Sequence, residues 1–546
     1  MQRSASGAAA LGAAGAQIKT QSAPISKPVR NETQNPMARP RQPQPQPQPQ
    51  PQLQAQPKQR SPAAPSARAP IQLDPVEKAR RQMGYRNNWH RKQVDHDAQV
   101  RWSEPLSQNP SVAIIGGGMS GLMCARELAR LGIRSTVFDT GKHGVGGRMA
   151  TRVSGEASLR SGTGSLAKPA VQLGGLRFDH AAQFFTVTDP VFQSVVDEWL
   201  AAGLVQRWEG PVGTLSAPTG AFARLPDRPT RYVARGGMRA LAEAMAAEAE
   251  GAAGGRGRSG GGGGGGGLVE LRRPVWVGKM QAEEGRGWSL QGEGRNQGLY
   301  DVVVIAHNGK CANRLVGPTG APQVAEQLMR LRLNAVWALM VAFEGAVPVP
   351  FEGAFIRGSP VLSWAGNNTA KMGLRHTPDD IECWTLFSTN AYGQANKVPQ
   401  EAIPSEVADK VANEMIAAFR QAATGAAAAA GGGGGGGSGR REGGSGAAAR
   451  WPRPVFTRVQ LWGAALPLNT PGVPCILDPE SRVGVCGDWL SGGSLQAAAI
   501  SGITLARNIA GLRGKSGPNE LSAFRLGLDV EQFAPLRATD IGEFPH

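Results

Sequence analysis

Cysteine is scarce and scattered in this chain. Its five cysteines, Cys124, Cys311, Cys383, Cys475 and Cys486, are odd in number and show no C-x-x-C spacing, which argues against a disulfide framework and a cysteine-rich zinc site. The seven histidines contain no H-E-x-x-H pair, so metal catalysis has no support. Long apolar runs are missing too. The nearest to one, Ala335 to Phe343, is followed by Glu344 and falls short of the ~18–20 residues of a spanning helix. Aromatic residues do not interleave with basic ones in any patch, so the formal charge of +17 does not read as a nucleic-acid surface. Of that charge, 16 Lys/Arg against 6 Asp/Glu lie in residues 1–105, which leaves the remainder at only +7.

Acidic residues are absent from the start of the chain. The first 30 residues hold Arg3, Lys19, Lys27 and Arg30 among many Ala and Ser, with no acid before Glu32 and no continuous apolar stretch. This composition is that of an organelle transit peptide, with an ordinary disordered tail as the alternative. A Gln-Pro tract from Arg41 to Gln52 follows and favours extended polyproline conformation. Residues 75–105 are basic and partly helical in pattern, with no legible purpose.

What the chain has in excess is glycine, 75 residues, and proline, 40, concentrated in low-complexity blocks. The glycine run 260–267, the Ala/Gly-rich stretch 422–449 and the Gly/Ser/Ala-rich stretch 154–172 read as loop insertions lacking side chains to pack. Without them a body of roughly 350–400 residues remains, enough to bury a core.

Within that body, Val112–Ile115 is an apolar strand, Leu122–Leu131 has helical spacing and Ser135–Asp139 is a second strand, which together make a β-α-β unit. Between the first strand and the helix, Gly116-Gly117-Gly118-Met119-Ser120-Gly121 satisfies G-x-G-x-x-G. Gly116 permits the tight turn, Gly118 lets the backbone approach a pyrophosphate, and Gly121 allows close helix–strand packing. The helix start, with Met119 and Ser120, offers N–H groups to the phosphates. Asp139, 18 residues beyond Gly121, is placed to accept from a ribose diol. This fingerprint alone does not separate FAD from NAD. Strands are also expected within Leu268–Leu290 and at Tyr300–Ala306, and a second sheet from Ala335–Phe343, Cys383–Ser388 and Val455–Trp462. A last helix is expected over about Ser494–Leu512.

Further motifs narrow the reading. His143-Gly144-Val145-Gly146-Gly147-Arg148-Met149 resembles the G-G-R segment of FAD-containing amine oxidases and desaturases, in which the glycines fold back over the cofactor and the arginine supplies a fixed cation. Phe178-Asp179-His180-Ala181-Ala182-Gln183-Phe184-Phe185-Thr186 resembles the F-D-H-G-A-Q-Y-F-T segment of renalase-like proteins, in a version with Ala181 and Phe184 that is similar to proteins of photosynthetic eukaryotes. Val485-Cys486-Gly487-Asp488-Trp489 resembles the V-C-G-D-W of the same family and runs into Leu495 and Gln496, where the family often has Glu in place of the glutamine.

The resemblance spans about 110–515 and implies an α/β fold: a Rossmann-type FAD-binding domain interleaved with a mixed-sheet substrate domain, plus a disordered N-terminal extension over 1–105. The cofactor parts are expected at 110–190, 236–315 and 471–515, the substrate parts at 191–235 and 316–470, and a C-terminal tail at 516–546. FAD is the implied cofactor, held by Gly116, Gly118, Met119, Ser120, Gly121, Asp139, Gly147, Arg148, Met149, Gln183, Phe184, Val277, Gly487, Asp488, Leu495 and Gln496. Gln183 and Phe184 are placed against the flavin, Val277 beside adenine on a Pro274–Val277 strand, and Asp488 beneath the pyrophosphate and ribityl chain. A small-molecule donor, with a reduced nicotinamide isomer as one candidate, and O2 are the implied partners. No catalytic side chain and no metal is assigned. His180 is a candidate base, though a histidine after Asp179 is more often a hydrogen-bonded structural group. Trp337, Trp384, Trp462 and Trp489 are candidates for pocket wall or for core. Amine oxidation, isoprenoid or tetrapyrrole desaturation, and a flavin-holding interaction factor remain as alternatives. A chloroplast location is expected, with mitochondrion or cytoplasm as alternatives.

Overall fold

In the computed structural model, residues 74–82, 94, 96–155, 174–251, 267–307, 309–374, 381–431 and 451–536 are described. The transit-like start, the Gln-Pro tract, the glycine run apart from Gly267, and most of the 154–172 and 422–449 stretches lie outside them.

Five parallel strands in the order Val269–Arg272, Arg134–Phe138, Ser111–Ile115, Val302–Ile305, Val483–Val485 form a sheet that Ile476–Asp478 closes antiparallel. The strand Val302–Ile305 is apolar throughout and buried at every position, as expected of a central parallel strand covered on both faces. Two helices pack on each other over this sheet, Met119–Arg130 and Leu495–Gly511. At their crossing, a Cβ on Gly502 would lie 2.2 Å from the Ser120 carbonyl oxygen, so only glycine lets the two backbones meet.

A seven-stranded sheet makes the second layer, ordered Arg453–Trp462, Val336–Glu344, Ile381–Ser388, Leu362–Asn367, Gly353–Arg357, Val212–Ser216, Phe222–Arg224. The three strands expected for it are its first three members. One face carries Trp337, Leu339, Val341, Val459 and Leu461, buried beneath the helix Ser405–Gly431. The architecture is therefore mixed α/β with a Rossmann-like domain.

Two boundaries differ from expectation. The extension does not run to residue 105: Pro75–Gln82 is a helix that buries Val76 and Ala79 in the core of the second sheet, and Arg101 and Trp102 bond to Glu480 and Ser481. Asp74 starts that helix by accepting from the Val76 N–H at 2.9 Å, with proline at the first helical position. The helix Ser405–Gly431 runs into the stretch read as an insertion, because alanine is the best helix former and Ala422 and Ala423 are buried. The C-terminal tail is packed as far as 536: Leu526 bridges Leu477, and Ala534–Pro535 pairs with Asn469–Thr470.

Candidate functional site

The loop after the strand Ser111–Ile115 turns at Gly116, whose φ of 121° is a glycine conformation and whose Cβ would lie 2.7 Å from the Ala306 oxygen. A Cβ on Gly121 would lie 1.9 Å from the Gly116 oxygen. These two glycines serve the protein's own packing. Gly118 differs, since its Cβ position is open and the nearest atom is the Gly146 oxygen at 3.9 Å. Gly147 faces it, with the Gly118 Cα as its nearest neighbour at 3.9 Å. Gly118 is also the N-cap of Met119–Arg130, and no side chain caps that helix. Two bare glycines over an uncapped helix N-terminus form a cradle suited to a pyrophosphate. Met119 and Ser120 are buried behind it, and Met149 is buried in the same core.

Asp139 stands below this turn, but not as a free acceptor. Its Oδ2 accepts from the Gly117 N–H at 2.9 Å and its Oδ1 from the Gly141 N–H at 2.7 Å. It therefore fixes both glycine loops, and a ribose would share lone pairs already in use.

Arg148 carries the connection to the far end of the sequence. Its guanidinium grips Asp488 with two hydrogen bonds, 2.7 and 2.6 Å, and reaches the Ala465 carbonyl at 2.9 Å. Asp488 begins a short turn after the strand Val483–Val485, and Gly487 before it donates its N–H to the Ser501 hydroxyl at 2.9 Å. The G-G-R and C-G-D-W segments, both expected to hold the cofactor, are thus joined by a bidentate pair. Ala182 donates to the Arg148 carbonyl at 3.0 Å, which brings the His180–Gln183 segment alongside.

Several of the expected cofactor residues also have partners within the protein. The Gln183 amide donates to the Asp179 carbonyl at 2.5 Å, and its backbone oxygen accepts from the buried Lys371 ammonium at 3.0 Å. Lys371 in turn pairs with Asp179 at 2.9 Å, both almost wholly buried, and burial lowers the lysine's pKa against the pull of that carboxylate. Gln183 therefore belongs to an internal polar network. Phe184 packs among Trp208, Phe355 and Trp364, within an aromatic cluster of the second sheet. Gln496 accepts from the Thr188 and Asp189 N–H groups at 2.7 and 3.0 Å, tying the start of its helix to the next one. Leu495 is half-buried at that start, and Ser494 caps it through the Ala497 N–H. Val277 is a buried residue opening the strand Val277–Glu283, which lies outside the parallel sheet, so the expected Pro274–Val277 strand does not form. Two residues before it, Val275 donates its N–H to the Asp139 carbonyl at 2.8 Å.

His180 is buried, and burial, then the charges of Arg152 and Arg458, push its pKa down to about 3. Its ring shares a hydrogen bond with the Ala150 backbone and lies 5.4 Å from the Trp462 ring. So weak a base cannot take a proton at neutral pH, and the structural role holds. Trp337, Trp384 and Trp489 are core, whereas Trp462 is half-buried and donates to the His180 carbonyl at 2.8 Å. Sequence reasoning missed Ala465, Ser501 and Lys371. Ser501-Gly502 carried a signal as part of the segment after Asp488, while a backbone acceptor such as Ala465 carries none. Among the described residues no group of three or more metal-ligating side chains assembles, and no helix is long and apolar enough to cross a membrane.

Fold and cradle together define a Rossmann-like domain. Residues 114–199 match the family described as NAD(P)-binding Rossmann-like domain. The chain is also similar to solved structures. Cyclohexylamine oxidase from Brevibacterium oxydans IH-35A shares 14% identity at a TM-score of 0.46, covering 74% of this chain and 99% of that one. Wild-type putrescine oxidase bound to putrescine shares 12% at 0.44, covering 73% and 99%. Reduced UDP-galactopyranose mutase shares 10% at 0.47, covering 76% and 98%.

Proposed function

We propose that this chain is an FAD-dependent oxidoreductase of the renalase-like type, taking a hydride from a small donor such as a dihydronicotinamide isomer and passing electrons to O2. The observation that carries the reading is the Arg148–Asp488 pair, set beside the facing glycines Gly118 and Gly147. That arrangement joins the G-x-G-x-x-G, G-G-R and C-G-D-W segments in one place, where a long ligand would meet all three. A bound flavin would supply hydride acceptance and electron delivery to oxygen.

The chain's own residues bind and orient. The N-terminus of Met119–Arg130 directs N–H groups and a positive dipole end at phosphate. Arg148, fixed by Asp488 and Ala465, adds a cation that needs no rearrangement on binding. Gly487, held by Ser501, turns the chain so that Asp488 reaches Arg148, and the start of Leu495–Gly511 would offer its N–H groups to a bound flavin. No side chain here is asked to move a proton, in keeping with a donor whose hydride goes directly to a cofactor.

Purified full-length protein should be yellow, with flavin released on denaturation. Anaerobic mixing with dihydronicotinamide isomers, amines and isoprenoids should show bleaching by the first group. Bleaching by amines or isoprenoids instead would move the assignment within flavoenzymes, and protein that takes up no FAD would end it. Asp488→Asn should weaken flavin retention and cost about 1–3 kcal/mol of stability by leaving Arg148 half-answered. A chloroplast destination is part of the same proposal, and a fluorescent fusion of residues 1–105 found in the cytosol would refute it.

A further inference from the structure

The strands Val277–Glu283, Gly287–Gly292 and Arg295–Tyr300 form a small antiparallel sheet of their own. Its inner face is core, where Met280 and Leu290 pair across the strands and are buried. Alternation puts their neighbours Lys279 and Gln291 on the outer face, and Asn296 continues that row on the third strand. Trp276 stands just before the first strand and is 59% exposed, the most open large hydrophobic side chain among the described residues. Its six-membered ring lies against Gly278, where a Cβ would come within 2.7 Å of it. The missing side chain at Gly278 thus seats the indole on the backbone, and the ring stays open to solvent.

Trp276, Lys279, Gln291, Arg295 and Asn296 line one groove of about 460 Å³. Among the described residues, the side chains of Lys279 and Arg295 have no ion pair, hydrogen bond or ring contact. Glu293, at the turn between the second and third strands, is the one carboxylate in the lining, so the groove carries a net positive charge. Asn296 accepts from the Gly298 N–H at 2.8 Å through its side-chain oxygen, which leaves its amide N–H groups for a guest. Neither Asp139 nor any glycine of the G-x-G-x-x-G loop belongs to the lining, so the groove lies outside the cofactor cradle.

A tryptophan left in water forgoes the burial that most tryptophans obtain, and a flat ring stacked on it restores that gain. Such stacking suits nucleobases, each of which has a π-face. Two cations that neither pair with a carboxylate nor lie on the indole stand ready for an anion on the same guest. The volume is that of a small-molecule site. We propose that this groove binds a nucleoside monophosphate, with its base stacked on Trp276 and its phosphate held by Lys279 and Arg295. Gln291 and Asn296 offer amide groups to the edge of the base. The site goes beyond the flavoenzyme reading and does not depend on it.

The test measures binding of 5′-AMP to purified full-length protein, with its flavin in place, by equilibrium dialysis. Wild type should bind AMP, and acrylamide should quench its tryptophan fluorescence less once AMP is present. Adenosine and inorganic phosphate should each bind about tenfold more weakly or worse, because each meets half of the site. Trp276→Ala, and Lys279→Ala combined with Arg295→Ala, should each lose about tenfold or more in AMP affinity. Both should keep the wild-type flavin content and unfolding midpoint, since these side chains are exposed. Trp276→Phe, which keeps a ring, should recover part of the affinity. No AMP binding, or equal affinity in wild type and Trp276→Ala, would overturn the site. So would flavin loss in Trp276→Ala, by giving the groove to the cofactor's adenosine, and so would adenosine binding as tightly as AMP. Hexaglutamate binding as tightly as AMP would give the groove to an acidic peptide instead, and a deoxyadenylate octamer binding about tenfold more tightly would give it to a nucleic-acid strand; either result sinks the mononucleotide. If the protein holds no flavin, AMP binding lost in Trp276→Ala and kept in Gly118→Val supports the groove, whereas the converse assigns the AMP to the cradle and overturns it.

Discussion

At the scale of single residues, the glycines of the first loop divide by what a methyl group would strike. At Gly118 it would strike nothing of the protein nearer than 3.9 Å, and the backbone there is extended, so Gly118→Val should leave the unfolding midpoint of the flavin-free protein nearly unchanged while flavin retention is lost. At Gly121 a Cβ would lie 1.9 Å from a carbonyl oxygen, so Gly121→Val should cost about 3 kcal/mol or more and lower folded yield as well as flavin content. Equal behaviour of the two variants would contradict the cradle. His180 makes a second prediction. Its folded pKa, pushed down to about 3 by burial and then by Arg152, lies below the ordinary histidine value, so the unfolded chain binds the extra proton. Its contribution is present above pH ~6.5 and fades as pH falls towards 3, by a few kcal/mol in total. His180→Asn should therefore show a shallower loss of stability between pH 6.5 and 4 than wild type, measured by denaturant unfolding. Parallel curves would mean that the imidazole is solvated.

At the scale of elements, local motifs were legible because their chemistry is written in consecutive residues. The first strand, the glycine turn, the helix and Asp139 could be read so, as could the end of the strand Val483–Val485 with Gly487-Asp488. What the sequence left obscure depends on partners far along the chain. Nothing near Arg148 names Asp488, and nothing near Gln183 and Phe184 names Lys371 or the Trp208–Trp364 cluster that they meet. The strand expected at Pro274–Val277 begins only at Val277, because the chain first crosses Asp139 at Val275. The helix Pro75–Gln82 had a signal, Asp74 before a proline, that was lost in the basic composition around it. Gly502 is the element-scale test. It lets the last helix lie on the glycine-led one, and Gly502→Leu should force them apart, with a loss of about 3 kcal/mol or more in unfolding free energy. A tolerated leucine would show that the two helices are not in backbone contact.

At the scale of the whole molecule, the ordered body begins earlier than charge and composition imply. Removing residues 1–105 takes away Val76 and Ala79 from one core and the Trp102–Trp288 contact from the other, whereas removing 1–73 takes neither. The longer truncation should therefore unfold at a clearly lower temperature than the shorter one, by several degrees in a thermal melt, and identical midpoints would return this stretch to the extension. The Arg148–Asp488 pair also has a bearing on biosynthesis. Its two partners stand 340 positions apart, and a ribosome releases the first long before it has made the second. A chain that stops short of residue 488 cannot own both halves of the clasp, so this contact forms only once synthesis is nearly finished.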